Sequence, residues 1–72
     1  MQESDIDIRH EHQQLYMAIG SLPLQEQTVI LLFYMEEKSI KEIEIITGMP
    51  SGTIRSHLSR GRRHLKEYLE TL

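Results

Sequence analysis

Apolar residues along most of this chain recur at the three- and four-residue spacing of α-helices rather than in the alternation of a strand. The spacing predicts an all-α fold with four helices, at about residues 10–20, 23–37, 39–47 and 51–70. Pro23 and Pro50 stand where one helix gives way to the next. Residues 1–9 are acidic and polar without an apolar face, so we expect a flexible tail or linker remnant before a domain at 10–72.

The second predicted helix is the most apolar of the four. Its apolar residues occupy much of the helix circumference: Val29, Ile30, Leu32, Phe33 and Met35. A helix that is apolar on more than one side is expected to be buried between others. The first helix offers a smaller apolar set, which consists of Leu15, Met17, Ala18 and Ile19.

The third and fourth predicted helices are separated by a short turn. Ser39 and Glu42 match a capping box, in which the two side chains bond each other's backbone amides at a helix start. The inward face of the third helix is predicted to be Ile40, Ile43 and Ile46. Gly48 is expected to end that helix in a left-handed conformation, and Pro50 or Ser51 to begin the next. Two helices joined in this way predict a helix-turn-helix.

The fourth helix separates into two faces when its residues are placed at 100° intervals. The predicted inward face comprises Ile54, Leu58, Gly61, Leu65, Leu69 and Leu72. The opposite face comprises Arg55, Ser56, Ser59, Arg62, Arg63 and Lys66, with Arg60 at its edge. Guanidinium groups bind phosphates or the acceptor pair of guanine, and small residues let a partner backbone approach. The second face therefore indicates nucleic-acid binding.

The net charge of −3 conceals this basic face. Residues 51–66 contain five basic residues and no acid, whereas residues 1–50 contain three basic residues and nine acids. The 72 residues include no cysteine, so one small core of packed side chains must stabilise the fold. The longest apolar run, Val29–Met35, is far shorter than the roughly 20 residues that span a bilayer. We therefore expect a soluble, cytoplasmic protein without a membrane partner.

The residue types argue against catalysis. The chain has no cysteine nucleophile, no glycine-rich phosphate loop, and no spacing that recommends a Ser, His and Asp triad. The run His10-Glu11-His12 lacks a third and fourth metal ligand at any dependable spacing. We expect a protein that is not an enzyme, with no cofactor, no metal and no small-molecule substrate.

The start of the fourth helix resembles region 4 of bacterial sigma factors, particularly of the extracytoplasmic-function group. The residues that match the usual motif of that group are Pro50, Gly52, Thr53, Ile54, Arg55, Ser56, Leu58, Arg60 and Arg62. Upstream matches in the usual order and spacing are Leu22-Pro23, Leu31-Leu32, Ser39, Glu42-Ile43 and Gly48. The resemblance extends over residues 15–70.

This resemblance implies a four-helix domain that binds the minus-35 promoter element with its fourth helix in the major groove. The implied DNA-binding residues are Pro50, Ser51, Gly52, Thr53, Arg55, Ser56, Ser59, Arg60, Arg62, Arg63 and Lys66. Four of them, Arg55, Ser56, Ser59 and Arg60, would face bases or nearby phosphates. The family also implies two protein partners, the β-subunit flap of the RNA polymerase core and, in many members, an anti-sigma factor.

Three residues depart from the family pattern. Phe33 and His57 stand where relatives commonly have arginine, and Glu44 stands where a small alanine is usual. Residues 52–60 also resemble the recognition helix of LuxR-type regulators, which His57 fits better. Pro50 and the basic run through Lys66 favour sigma region 4. A third interpretation is a protein-interaction module whose basic helix binds an acidic partner.

Overall fold

The computed structural model describes the backbone of residues 3–71 and the side chains of residues 12–71. Within those residues it contains four α-helices and no strand, which confirms the predicted all-α fold. The helices are α1 (Glu3–Gly20), α2 (Leu24–Ile30), α3 (Ile40–Thr47) and α4 (Ser51–Glu70), and a π-helical segment (Leu31–Met35) continues α2.

Helix α1 begins at Glu3, well before the predicted start at residue 10. Apolar periodicity did not predict this longer helix, because residues 3–9 include only two apolar residues, Ile6 and Ile8. Residues 1 and 2 lie outside the described residues, and the division into a tail at 1–9 and a domain at 10–72 stays a prediction.

The break between α1 and α2 uses both a hydroxyl and a proline. The Ser21 hydroxyl donates to the Ala18 carbonyl oxygen at 2.6 Å, and the Ser21 backbone N–H donates to the Met17 carbonyl oxygen at 3.1 Å. Pro23 then adopts an extended backbone with φ −54° and ψ 148°. Proline thus precedes the first helical residue, Leu24, instead of occupying the first turn as predicted.

Helix α2 widens before it ends. The Glu36 N–H donates to the Leu31 carbonyl oxygen at 3.0 Å, a five-residue span that defines a π-helix. Glu37 has φ 55°, a left-handed conformation that a right-handed helix cannot contain. The helical segment therefore ends at Met35, two residues before the predicted end.

Helix α3 begins with the predicted capping box. The Ser39 N–H donates to Glu42 Oε1 at 2.8 Å, and the Glu42 N–H donates to Ser39 Oγ at 3.1 Å. The backbone hydrogen bond from Ser39, followed by the one from its hydroxyl, lowers the pKa of Glu42 below its ordinary value. The ionised carboxylate is therefore part of the cap.

The inward face of α3 is partly corrected by the structure. Ile43 is buried and Ile40 is half-buried, as predicted, but Ile46 is 54% exposed. Thr47 takes the place next to Ile40 and Ile43, because a helix repeats its face at i+4 and i+7 more closely than at i+6. Ile45 beside it is also exposed, so the outer surface of α3 carries two isoleucines.

The core lies between α2 and α4, with α1 and α3 at its sides. Its fully buried apolar residues are Ala18, Ile19, Leu22, Val29, Ile30, Ile43, Ile54 and Leu58. From the predicted apolar set of α2, Leu32 and Phe33 are half-buried and Met35 is exposed. From the predicted inward face of α4, Gly61 is buried and Leu65 half-buried, Leu69 is 39% exposed because it lies near the end of the domain, and Leu72 lies outside the described residues.

Candidate nucleic-acid interface

The turn between α3 and α4 is held by local hydrogen bonds. Gly48 has φ 77°, and its N–H donates to the Glu44 carbonyl oxygen at 2.8 Å, which ends α3 as predicted. The Thr47 hydroxyl donates to the Ile43 carbonyl oxygen at 2.7 Å and accepts from the Met49 N–H at 3.1 Å. Pro50 immediately precedes Ser51, the first residue of α4. These bonds determine where the amino end of α4 points.

The predicted DNA-binding residues lie on the exposed side of α4 and at its amino end. Ser51 is half-buried, and the other ten are exposed: Pro50, Gly52, Thr53, Arg55, Ser56, Ser59, Arg60, Arg62, Arg63 and Lys66. Ile54 and Leu58 on the other side are buried and anchor the helix to the core. We use the term outer face of α4 for seven exposed residues of this helix: Gly52, Thr53, Arg55, Ser56, Ser59, Arg60 and Arg63.

The charge of this outer face is entirely positive. Arg60 makes one long hydrogen bond, from Nε to the Ser56 carbonyl oxygen at 3.5 Å. Among residues 12–71, the structure shows no ion pair to Arg55, Arg60 or Arg63. Acids in α4 occur only beyond Lys66, at Glu67 and Glu70. The guanidinium groups are therefore available to an anionic ligand.

Arg62 is placed apart from the other basic residues. Its Nη1 donates to the Tyr34 hydroxyl at 2.8 Å, across to the π-helical segment. It lies four positions after buried Leu58, so the two side chains are only about 40° apart around α4. Arg62 also borders an apolar cavity of about 370 Å³ lined by Leu15, Ile19, Ile30, Tyr34, Met35 and Leu65. The structure thus does not bring Arg62 together with the outer face.

A buried polar pair was not anticipated from the sequence. Glu26 in α2 is only 6% exposed, and its Oε1 lies 2.6 Å from His64 Nδ1 in α4. No partner was predicted for either residue from the sequence. One signal was present, because Glu26 shares the helix side of Val29 and Ile30, both of which are buried.

The three residues that depart from the expected pattern, Phe33, Glu44 and His57, are all half-buried. Phe33 is half-buried and packs edge-on against the Tyr34 ring, with centroids 5.0 Å apart and planes at 81°. Glu44 is half-buried without an ion pair in residues 12–71, and its oxygen atoms reach solvent. His57 is half-buried, and its Nδ1 is buried without a hydrogen-bond partner among the described residues. None of the three adds a positive charge to the outer face.

No group of three or more His, Cys, Asp or Glu residues that could hold a metal ion occurs in the described part of the chain. The side chains of His10 and Glu11, which belong to the run considered above, lie outside it. None of the described helices combines the length and apolar character needed to cross a membrane.

Comparison with known proteins gives a consistent result. The family model "Sigma-70, region 4" matches residues 12–65. The chain is 41% identical over 54 residues to the ECF RNA polymerase sigma factor SigW of Bacillus subtilis, an alignment that covers 75% of this chain and 29% of that protein. It is 38% identical over 55 residues to the ECF RNA polymerase sigma factor SigE of Mycolicibacterium smegmatis, covering 76% of this chain and 21% of that protein.

The chain therefore spans less than a third of the length of either curated relative. No solved structure matches it. The matched region, residues 12–65, includes the whole of α2, α3 and the turn between α3 and α4, together with the outer face of α4.

Proposed function

The chain belongs to the sigma-70 region 4 family, and we propose that it binds the minus-35 promoter element as the region 4 domain of an extracytoplasmic-function sigma factor. In this role α4 lies in the major groove and directs RNA polymerase to promoters for transcription initiation. The domain at 10–72 acts by binding and not by catalysis.

The observation that carries this proposal is the composition of the outer face of α4. It combines three arginines with serine, threonine and glycine, and it contains no acid. A surface that serves only solubility usually mixes charges of both signs. A groove-binding surface needs cations for phosphate and guanine and small residues for close approach, which this face supplies.

Gly52 supports the same interpretation. An alanine Cβ placed at Gly52 would meet nothing within 4 Å, so packing within the described domain does not require glycine there. In a helix, glycine is less favourable than alanine by about 0.8–1.0 kcal/mol. Close approach of a DNA backbone to the first turn of α4 would explain why glycine is nevertheless suitable.

The proposed roles divide the basic and small residues into groups. Arg55, Ser56, Ser59 and Arg60 contact bases or nearby phosphates. The amino end of α4, consisting of Pro50, Ser51, Gly52 and Thr53, approaches the DNA backbone. Arg63 and Lys66 bind phosphate. Arg62 is proposed as a phosphate ligand on family grounds, and in that role its guanidinium must exchange the Tyr34 hydroxyl for phosphate.

The proposed setting is the bacterial cytoplasm. There the domain contacts the β-subunit flap of the RNA polymerase core, and an anti-sigma factor is a further proposed partner. These proposals rest on the family and on the names of the relatives, which are RNA polymerase sigma factors. The charge of α4 supports only the DNA contact.

A test is the selection of bound sequences from a random pool of DNA duplexes at low salt. We expect enrichment of one asymmetric motif, because a single region 4 domain has no two-fold symmetry to impose on DNA. Enrichment of inverted repeats would instead identify a dimeric LuxR-type regulator. No enrichment, together with binding to an acidic protein surface, would identify a protein-interaction module and overturn the proposal.

Binding by the isolated domain is expected to be weak and steeply dependent on salt. Each phosphate that a basic residue neutralises releases condensed counterions, so affinity falls as salt rises. The selection is therefore performed at several salt concentrations, and the lowest serves to detect binding. An asymmetric motif that persists as salt increases supports base readout over general attraction to phosphate.

A further inference from the structure

Glu26 is the buried acid at the centre of the contact between α2 and α4. Only 6% of its surface is exposed, and the core residues Val29 and Ile30 lie along the same side of α2. An ionised carboxylate in such a place is strongly unfavourable unless a partner satisfies it. The His64 Nδ1, at 2.6 Å from Oε1, is that partner.

The chemistry of the two side chains determines which of them donates the hydrogen bond. When the carboxylate of Glu26 is ionised it can only accept hydrogen bonds, and Nδ1 of His64 is then the donor. A hydrogen bond of this kind weakens steeply when its angle or length changes. Apolar contacts, by contrast, are not directional and tolerate small rotations and slides.

Beside this pair, α4 packs against α2 at Gly61, and this contact needs a directional hydrogen bond to fix the orientation of the two helices. An alanine Cβ at Gly61 would lie 2.9 Å from Ile30 Cγ1 and 3.6 Å from Glu26 Cβ, so α4 approaches α2 very closely there. Glycine has no side chain to interlock with the opposite helix. His64 follows Gly61 by one turn, and it supplies a specific side-chain contact at the place where Gly61 supplies none.

The orientation of α4 at His64 determines the orientation of its outer face. His64 follows Arg55 by nine residues, which places the two side chains about 180° apart around the helix. His64 therefore faces α2 while Arg55 faces outward. Because α4 is one continuous helix from Ser51 to Glu70, any rotation at His64 moves Arg55 and Ser59 as well.

We propose that Glu26 and His64 are positioning residues, which hold α4 in the orientation that lets its outer face discriminate between DNA sequences. Neither residue touches DNA in this proposal, and stability is not the main role of the pair. The proposal rests on the proposed function, since discrimination has meaning only if the domain reads DNA. It predicts that specificity and stability separate when both residues are replaced together.

The test is the double variant Glu26→Leu/His64→Leu in the full chain. Replacing both members of a buried polar pair by apolar residues of similar volume often leaves stability unchanged or raises it. We expect the unfolding midpoint to be unchanged or higher. The ratio of dissociation constants for a scrambled and the selected duplex should fall about tenfold, which corresponds to the loss of one well-aligned base contact.

A conservative variant and a matched control sharpen this test. His64→Asn keeps an N–H donor near the position of Nδ1 and should retain most of the discrimination. Tyr34→Phe removes the other side-chain hydrogen bond described between α4 and the α2 segment, the exposed bond to Arg62, and should leave discrimination intact. Full discrimination in the double leucine variant, or equal losses in it and in Tyr34→Phe, would overturn the positioning role.

A measurement without DNA separates this proposal from the proposed function. If the native domain shows no sequence preference, the proposed function fails, and amide NMR spectra alone decide the positioning role. In the double leucine variant, amides of residues 52–60 should show doubled or broadened signals, because α4 then samples more than one orientation. A single set of signals at native positions would overturn the proposal, whatever the native domain binds.

Discussion

Helix α4 has two glycines on opposite sides, and they have different explanations. Gly52 and Gly61 are nine residues apart, which is about 180° around the helix. A Cβ at Gly61 would lie 2.9 Å from Ile30 Cγ1, whereas a Cβ at Gly52 would meet nothing within 4 Å. The packing of this domain explains the inner glycine, whereas no neighbour among the described residues requires the outer one, which we propose lies against DNA. Changes on the two sides should therefore affect different measurements.

The largest effect on stability is expected from Gly61→Ala. In an open helix this change would stabilise by up to about 1 kcal/mol. Here the new methyl group overlaps buried Ile30, and overpacking of this kind costs about 1–3 kcal/mol. We expect net destabilisation in urea unfolding.

Gly20→Ala is the matched control for this change. A Cβ at Gly20 meets nothing within 4 Å, so this variant should be neutral or slightly more stable. Equal stability changes in Gly20→Ala and Gly61→Ala would contradict the close packing of α2 against α4.

The largest effect on DNA binding is expected from Arg55→Ala and Arg60→Ala. Each should weaken binding to the selected duplex by about 1–3 kcal/mol, because each removes a proposed contact to bases or adjacent phosphates. Stability should change by less than about 0.5 kcal/mol, since both side chains are exposed. Dissociation constants for selected and scrambled duplexes at one salt concentration provide the measurement.

Arg63→Ala is the comparison for these two variants. It should weaken binding to every sequence alike and lower the salt dependence by about one counterion, as a phosphate contact does. Equal losses on all sequences from Arg55→Ala, Arg60→Ala and Arg63→Ala would show that the outer face does not read bases.

Gly52→Ala should have opposite effects on the two measurements. Alanine is the better helix former, so stability should increase by up to about 1 kcal/mol. Binding to DNA should weaken, because the added methyl group stands between the helix backbone and the phosphates that approach it. Urea unfolding and DNA titration of the same preparation test both parts. An unchanged DNA affinity would leave Gly52 without a role in the interface.

The smallest effect on DNA binding is expected at the start of α3, away from both sides of α4. Ser39→Ala removes a helix cap, and such changes cost about 0.5–2 kcal/mol. It should also raise the pKa of Glu42 part of the way towards its ordinary value, because alanine removes the hydroxyl of Ser39 but keeps the backbone N–H, whose hydrogen bond lowers this pKa most. Carbon-13 NMR of the Glu42 carboxyl measures the second effect directly.

The pH dependence of the native cap follows from the direction of that shift. Since the pKa of Glu42 is lower in the folded state, its contribution is fully present above the ordinary glutamate value of about 4.3 and disappears as pH falls through the lower, folded value. Ser39→Ala should therefore destabilise more at neutral pH than in strong acid. An equal loss at both pH values would contradict a role for the ionised carboxylate.

Several local features were predictable because the residues that form them are neighbours in sequence. Ser39 and Glu42 are three residues apart, and Gly48 adopts its left-handed conformation to end the same helix. The outer face of α4 also followed from the 100° spacing of its residues. The start of α1 was missed, because residues 3–9 show no helical apolar period.

Other features depended on which elements pack together. Ile46 was predicted to face inward, and the packing of α3 against its neighbours leaves it exposed. Arg62 has the same sequence character as Arg63, yet it bonds Tyr34 because the π-helical segment lies beside it. Two arginines that are adjacent in sequence thus differ in environment, because they lie about 100° apart around the helix.

The sequence by itself determined the four helices, the capped turn between α3 and α4, and the basic outer face, because each depends on residues within a few positions of one another. Only the tertiary structure decided the partners of Glu26 and Arg62, which are 38 and 28 residues away along the chain. Nothing in a local pattern specifies a partner at such a distance. These partners come together because α2 and α4 pack closely at Gly61, where the absence of a side chain lets the two helices approach.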